Sequence, residues 1–177
     1  MPELLRESTI AGVRIFALEP HPDERGRFQE TYQRSWVEGG PEMVQASLSY
    51  SRKDVLRGIH FHRRQADYWT IALGRCRVAL VDIRRGSPTF RAIDTFEMSD
   101  EEPRGVYIPP LVAHGLHAVE DMVLSYLVSE EFDPAAPDEF GIAWNDPDLA
   151  IDWGTVDPIL SDRDRSNPTL AEVFAEP

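Results

Sequence analysis

Apolar and polar positions alternate with a period of two over much of this chain, and the alternating stretches are short. Successive side chains of a strand point to opposite faces, so such stretches read as strands with one face buried. The pattern predicts strands over 13–19, 27–36, 44–51, 55–62, 68–73, 76–84, 93–98, 105–108, 114–119 and 122–129. Turn-rich clusters separate them at Pro20 to Gly26, Gly39-Gly40-Pro41 and Arg85 to Thr89. Gly74-Arg75 and Glu120-Asp121 are short enough to read as tight hairpins. Residues 1–12 read as a lead-in, and Asp133 to Trp153 as a loop rich in Pro, Asp and Trp. A short helix is predicted near the end, capped by Ser166 or Asn167, with Pro168 in its first turn and Leu170 and Phe174 on one face. Many short strands without βαβ alternation or internal repeats predict an all-β sandwich or barrel.

Two stretches break the simple alternation. In 44–51, Gln45, Ser47, Ser49 and Ser51 share one face. A row of small hydrogen-bonding groups suits either the lining of a polar pocket or a solvent-exposed edge. In Val55-Leu56-Arg57-Gly58-Ile59-His60-Phe61-His62, both imidazoles fall on the same face of an otherwise apolar strand. Strict alternation puts Arg57 on the opposite face, unless Gly58 marks a bulge that re-aims it.

The chain has 177 residues, enough for one domain with a sizeable core. No run approaches the roughly 18 apolar residues of a membrane helix. No secretory signal is legible at the N-terminus. The lone cysteine, Cys76, cannot make an internal disulfide and reads as a packing residue, so a cytoplasmic setting is expected. The net charge of −13 argues against nucleic acid as a partner. Most of the acid lies at Asp100-Glu101-Glu102 and beyond Glu130, and reads as solvated surface.

Two constellations compete for His60 and His62. His60-x-His62, Asp67 and the later His114 resemble the metal motifs of the cupin superfamily. Imidazoles with one carboxylate suit Fe, Mn, Ni or Zn. Aspartate stands where those motifs usually have glutamate, and Leu111 where they have glycine. The other constellation is metal-free acid–base chemistry, with His60 as base, Tyr126 as acid and a buried carboxylate orienting the imidazole.

Ordered blocks along nearly the whole chain carry a second resemblance. They are Asp23-x-Arg25-Gly26-x-Phe28-x-Glu30, Gln45-x-x-x-Ser49-x-Ser51 with Val55 to Phe61, and Val81 to Phe90. They continue through Tyr107-Ile108-Pro109, Ala113-His114-Gly115, Tyr126, Trp144-Asn145-Asp146-Pro147, Ile151-Asp152-Trp153 and Leu160-Ser161-x-Arg163-Asp164. This set resembles the dTDP-4-dehydrorhamnose 3,5-epimerase family. The resemblance implies a single cupin-type β-barrel or jelly roll over 1–177. Its parts are N-terminal strands (1–50) exchanged in a homodimer, a barrel core (51–130), and a C-terminal loop with a short helical segment (131–177).

It also implies an epimerase of a nucleotide-linked 4-keto-6-deoxyhexose, most simply dTDP-linked, with no cofactor. Carried over by position, His60 is the base, Asp164 its partner and Tyr126 the acid. Arg57, Arg163 and Arg25 grip the pyrophosphate and nucleotide. Phe28, Glu30, Gln45, Ser49, Asp67 and His114 line the same pocket, with Arg25 and Phe28 able to serve a neighbouring subunit's site. Departures cluster at the sugar end: Asp67 replaces the family's usual lysine, His62 a glutamine, Asp54 a glycine and Ser47 an asparagine. They leave open which sugar is used, whether one centre or two is inverted, and whether the chain only binds a nucleotide sugar. Trp144 and Trp153 read as packing residues, and Asp82 with Arg84 as a structural pair.

Overall fold

The computed structural model describes residues 2–175. Met1, Glu176 and Pro177, which fall in the predicted lead-in and C-terminal segment, lie outside the described residues. The strands are β1 (Leu4–Glu7), β2 (Arg14–Ala17), β3 (Pro20–Asp23), β4 (Gly26–Gln29), β5 (Gln45–Ser51), β6 (Leu56–Phe61) and β7 (Asp67–Leu73). They continue as β8 (Arg75–Asp82), β9 (Ile93–Ser99), β10 (Arg104–Ile108), β11 (Val112–Ala118), β12 (Met122–Val128) and β13 (Phe140–Gly141). Two short helices follow, α1 (Asp162–Arg165) and α2 (Leu170–Ala175).

All pairings within the sheets are antiparallel. One six-stranded sheet runs β1-β2-β10-β7-β12-β5, and a five-stranded sheet runs β13-β6-β11-β8-β9. An apolar cluster joins them: Trp69, Ile71, Val106 and Leu124 from the first sheet meet Val78, Leu80, Met98 and Leu116 from the second. Burying such side chains contributes about 1.5–3 kcal/mol each. Two packed antiparallel sheets followed by short C-terminal helices match the cupin-type barrel expected from the sequence.

Several local expectations are corrected. Gly74 does not close a hairpin, because β7 and β8 lie in different sheets. The same holds for Glu120-Asp121 between β11 and β12. Both turns carry the chain from one layer to the other. Gly74, at φ +80°, fits where an added Cβ would lie 2.3 Å from the Asp121 carbonyl oxygen. The segment 20–26 is not simply a turn: β3 and β4 form a two-stranded hairpin apart from both sheets. The strand predicted over 27–36 ends at Gln29, and Arg34–Val37 form a 3-10 turn that buries Trp36 and Val37. The lead-in contains β1, paired with β2.

The C-terminal segment covers the outer face of the five-stranded sheet. Ile142, Leu149, Trp153 and Leu170 pack there on Leu56, Ile59, Ala79, Val81 and Ala113. Every residue of β11 is therefore buried. Asp146 pins the segment: its carboxylate accepts the backbone N–H groups of Asp148, Leu149 and Leu170. The predicted helix caps are displaced to Thr169. Its hydroxyl accepts the Glu172 N–H, and the Glu172 carboxylate accepts the Thr169 N–H, a reciprocal capping box. Asp82 takes Arg84 bidentately at 2.8 Å, as the structural pairing predicts.

Candidate active site

A cavity of about 610 Å³ opens between the two sheets. The five-stranded sheet contributes Arg57, His60 and His114, and the six-stranded sheet contributes Gln45, Ser49, Asp67, Trp69 and Tyr126. Arg57 reaches the same cavity as His60 because the register between β6 and β11 slips between them: His114 faces His60, yet Leu116 faces Arg57. The bulge rests on Gly58, at φ +118°. A Cβ there would sit 2.8 Å from both the Gly115 Cα and the His114 carbonyl oxygen. Arg57 is then held by its Nε on the Ser51 hydroxyl at 2.9 Å and its Nη2 on the Tyr50 carbonyl at 2.9 Å.

His60 Nε2 lies 2.6 Å from Asp164 Oδ1. Asp164 arrives from the far end of the chain on α1. Ser161 caps that helix by accepting the Asp164 backbone N–H, which leaves the Asp164 carboxylate free for the imidazole. The capping pattern and the histidine partner thus coexist in one segment. Burial pushes the Asp164 carboxyl up, but the hydrogen bond and charge of His60 and the donors at Ser161 and Gly58 outweigh it, and the group lies below its usual value. The other ring nitrogen of His60, Nδ1, lies 3.2 Å from Glu139 Oε1.

Asp67 begins β7 and lines the same cavity. Its carboxylate accepts Gln65 Nε2–H at 2.8 Å and the indole N–H of Trp69 at 3.1 Å. His62 and His114 stack near it, with ring centroids 5.4 Å apart. His62 Nδ1–H donates to the Asp138 carbonyl at 2.7 Å, and His114 Nδ1–H to the Val112 carbonyl at 3.0 Å. Burial holds His114 well below the ordinary histidine value, even against the attraction of Asp67. The sequence motif groups His60 with His62, Asp67 and His114, but only the last three converge in the structure. His60 is turned toward Asp164 and Glu139 instead.

Arg25, Phe28 and Glu30 lie outside this cavity. Arg25 is paired with Asp23, Phe28 is 66% exposed, and Glu30 accepts Gln33 Nε2–H. Arg163 does not line the cavity either. It grips Glu139, with Nη1 on Oε1 at 2.7 Å. Of the serine row, Ser49 lines the cavity beside Gln45, Ser51 holds Arg57, and Ser47 accepts Gln45 Nε2–H.

Sequence reasoning missed the segment from Glu130 to Glu139, read as solvated acid. Glu130, Glu131, Asp133, Asp138 and Glu139 all line the cavity. Asp138 also closes the turn after β6, accepting the N–H groups of Arg63, Arg64 and Gln65. No periodicity marks such residues, and their composition is that of an ordinary surface loop.

Residues 7–172 match the family model of dTDP-4-dehydrorhamnose 3,5-epimerase. The chain is 36% identical to a dTDP-4-dehydrorhamnose 3,5-epimerase of Streptomyces griseus, covering 96% of this chain and 88% of that one. It is 39% identical to a dTDP-4-dehydrorhamnose 3-epimerase of Streptomyces niveus, covering 95% of this chain and 84% of that one. The RmlC epimerase of Mycobacterium tuberculosis superimposes with a TM-score of 0.88 at 35% identity, covering 96% of this chain and 90% of that one. A histidine paired to a buried carboxylate, facing a tyrosine across the cavity of such a barrel, accords with these likenesses: the chain belongs to the dTDP-4-dehydrorhamnose 3,5-epimerase family of isomerases.

Proposed function

We propose that the protein epimerises a dTDP-linked 4-keto-6-deoxyhexose at C3, C5 or both, with His60 as base, Asp164 as its partner and Tyr126 as acid. The observation that carries this is the 2.6 Å contact between His60 and Asp164 at a cavity that Tyr126 lines from the opposite sheet. An imidazole that gives its Nε2–H to Asp164 carries its lone pair on Nδ1. A ketone at C4 acidifies the hydrogens on C3 and C5. Nδ1 takes one of them, and the electron pair of the broken C–H bond moves toward the C4 oxygen as an enolate. The Tyr126 hydroxyl returns a proton to the same carbon from the other side, which inverts the centre; solvent then reprotonates the phenolate and takes up the proton held on His60.

Glu139 must leave Nδ1 for this to happen. Its release would also free Arg163, which together with Arg57 and Arg64 supplies guanidinium groups for a pyrophosphate. A related epimerase from Legionella pneumophila has been solved with dTDP-4-keto-L-rhamnose bound, which supports a dTDP sugar here. Arg25 and Phe28, stranded on the β3–β4 hairpin, fit a homodimer in which that hairpin reaches the neighbouring copy's cavity.

The test is solvent exchange in D₂O with dTDP-4-keto-6-deoxyglucose, followed by NMR. Deuterium is expected at C3, C5 or both, and the carbons labelled count the centres handled. His60→Ala should slow exchange by about 10²–10⁴-fold. Tyr126→Phe should let washout of the substrate proton continue while inverted product falls. Full exchange in His60→Ala would overturn the assignment of the base.

A further inference from the structure

The geometry points to a divalent-cation site formed by His62, Asp67 and His114 in the floor of the epimerase cavity. One ligand atom from each lies within 4.8 Å of the others, and all three residues are buried. Their hydrogen bonds show which atoms are offered. A backbone carbonyl only accepts, so the bonds to Asp138 and Val112 place the ring protons of His62 and His114 on Nδ1. Each ring then turns its Nε2 toward the Asp67 carboxylate, His62 at 3.9 Å and His114 at 3.8 Å. Both separations exceed a hydrogen bond. Three ligand groups thus converge, with the Gln65 amide N–H₂ standing between His62 and Asp67.

Imidazoles fixed by Nδ1–H donation to backbone carbonyls are the usual support of metal-ligating histidines. Metal–ligand distances of about 2.0–2.2 Å bring donor atoms to roughly 3–3.5 Å of one another, so a modest contraction completes the set. Two imidazoles and one carboxylate select a first-row ion of the Fe(II), Co(II), Ni(II) or Zn(II) type rather than Mg²⁺ or Ca²⁺. The Gln65 amide, 3.2 Å from His62 Nε2 and 2.8 Å from Asp67 Oδ1, fills the gap that an ion would take between them.

Charge gives a second, independent reason. Six carboxylates line the cavity, those of Asp67, Glu130, Glu131, Asp133, Asp138 and Glu139, against the guanidiniums of Arg57 and Arg64. A bare Asp67 at the floor would oppose both an anionic substrate and the negative charge that develops on a sugar oxygen. A cation held by Asp67 reverses that local field and supplies positive charge where it is needed. This role rests on the proposed epimerase reading. The site itself does not.

The experiment uses the full chain, stripped with a chelator and titrated with Co²⁺ alone. Visible absorption and metal content per chain are the readouts, with D₂O exchange run in parallel. The expected result is one Co²⁺ per chain with ligand-field bands. Binding should weaken about 100-fold or more in Asp67→Asn and in His114→Ala, and stay unchanged in His60→Ala. Thermal melting shows whether each variant is folded, and His62→Ala serves as a second ligand variant should one of the others fail to fold. No Co²⁺ uptake by the wild type, or equal loss in His60→Ala, would overturn the site. Proton exchange that persists in metal-free protein without Co²⁺ uptake would remove the site and leave the epimerase standing. Co²⁺ bound as expected without any exchange would remove the epimerase reading and leave the site.

Discussion

His60 is held at both ends by carboxylates on separate segments, Asp164 at 2.6 Å and Glu139 at 3.2 Å. The two play different parts. Asp164 is buried and fixed by α1, whereas Glu139 belongs to the cavity-lining segment and is shared with Arg163. Because the Asp164 carboxyl in the fold lies below its usual value of 3.8, the unfolded chain takes up that proton more readily. Its contribution to stability is therefore fully present above the unfolded value and fades as pH falls through the folded one. Asp164→Asn should melt at lower temperature than wild type at pH 7, with the gap closing below about pH 4. Thermal melts across that range check it, and a constant gap would mean that the carboxylate's charge is not what stabilises. At this scale the sequence showed His60, Asp164 and Tyr126 through ordered motifs. It hid Glu139, whose role depends on where a loop without periodicity folds back.

Among the elements, β6 depends most on one residue. Gly58 creates the bulge that turns Arg57 to the side of His60. Gly58→Ala meets backbone on two sides in a left-handed conformation, and should destabilise the fold by about 2–4 kcal/mol in urea unfolding. Nucleotide affinity should fall as well, since Arg57 loses its aim. Binding that survives intact in the folded variant would show that the bulge does not position Arg57. The conditional reading of this strand was open in the sequence, because a glycine there marks a bulge without proving one. Pairing was less legible. Period-two alternation reports which face a residue takes and not which strand lies beside it. Gly74 and Glu120-Asp121 therefore looked like hairpins when they are crossings between layers. The β3–β4 hairpin was hidden because its residues are mostly exposed and lack an apolar face.

For the whole molecule, the apolar surface left uncovered is informative. Leu48 and Tyr50 project from the outward face of the edge strand β5, and Tyr50 is 68% exposed. Exposed apolar groups on an edge strand, beside a hairpin outside both sheets, fit a surface that a second copy covers. Sedimentation should report a dimer for the wild type and a monomer for Leu48→Glu. Arg25→Ala should raise KM in the dimer without changing its mass. A wild type that sediments as a monomer at micromolar concentration would end this reading.

The distance along the chain between His60 and Asp164, 104 residues, has a consequence of its own. The segment that delivers Asp164 is the same one that seals the outer face of the five-stranded sheet through Trp153, Leu149 and Leu170. Under the proposed mechanism, the His60–Asp164 pair forms only once this layer is docked. Closing so long a loop costs chain entropy, and the proposed mechanism predicts that a refolding chain regains activity no earlier than that layer docks. On that reading turnover would gauge the docking of the C-terminal layer, and a lesion beneath it would register as a catalytic one.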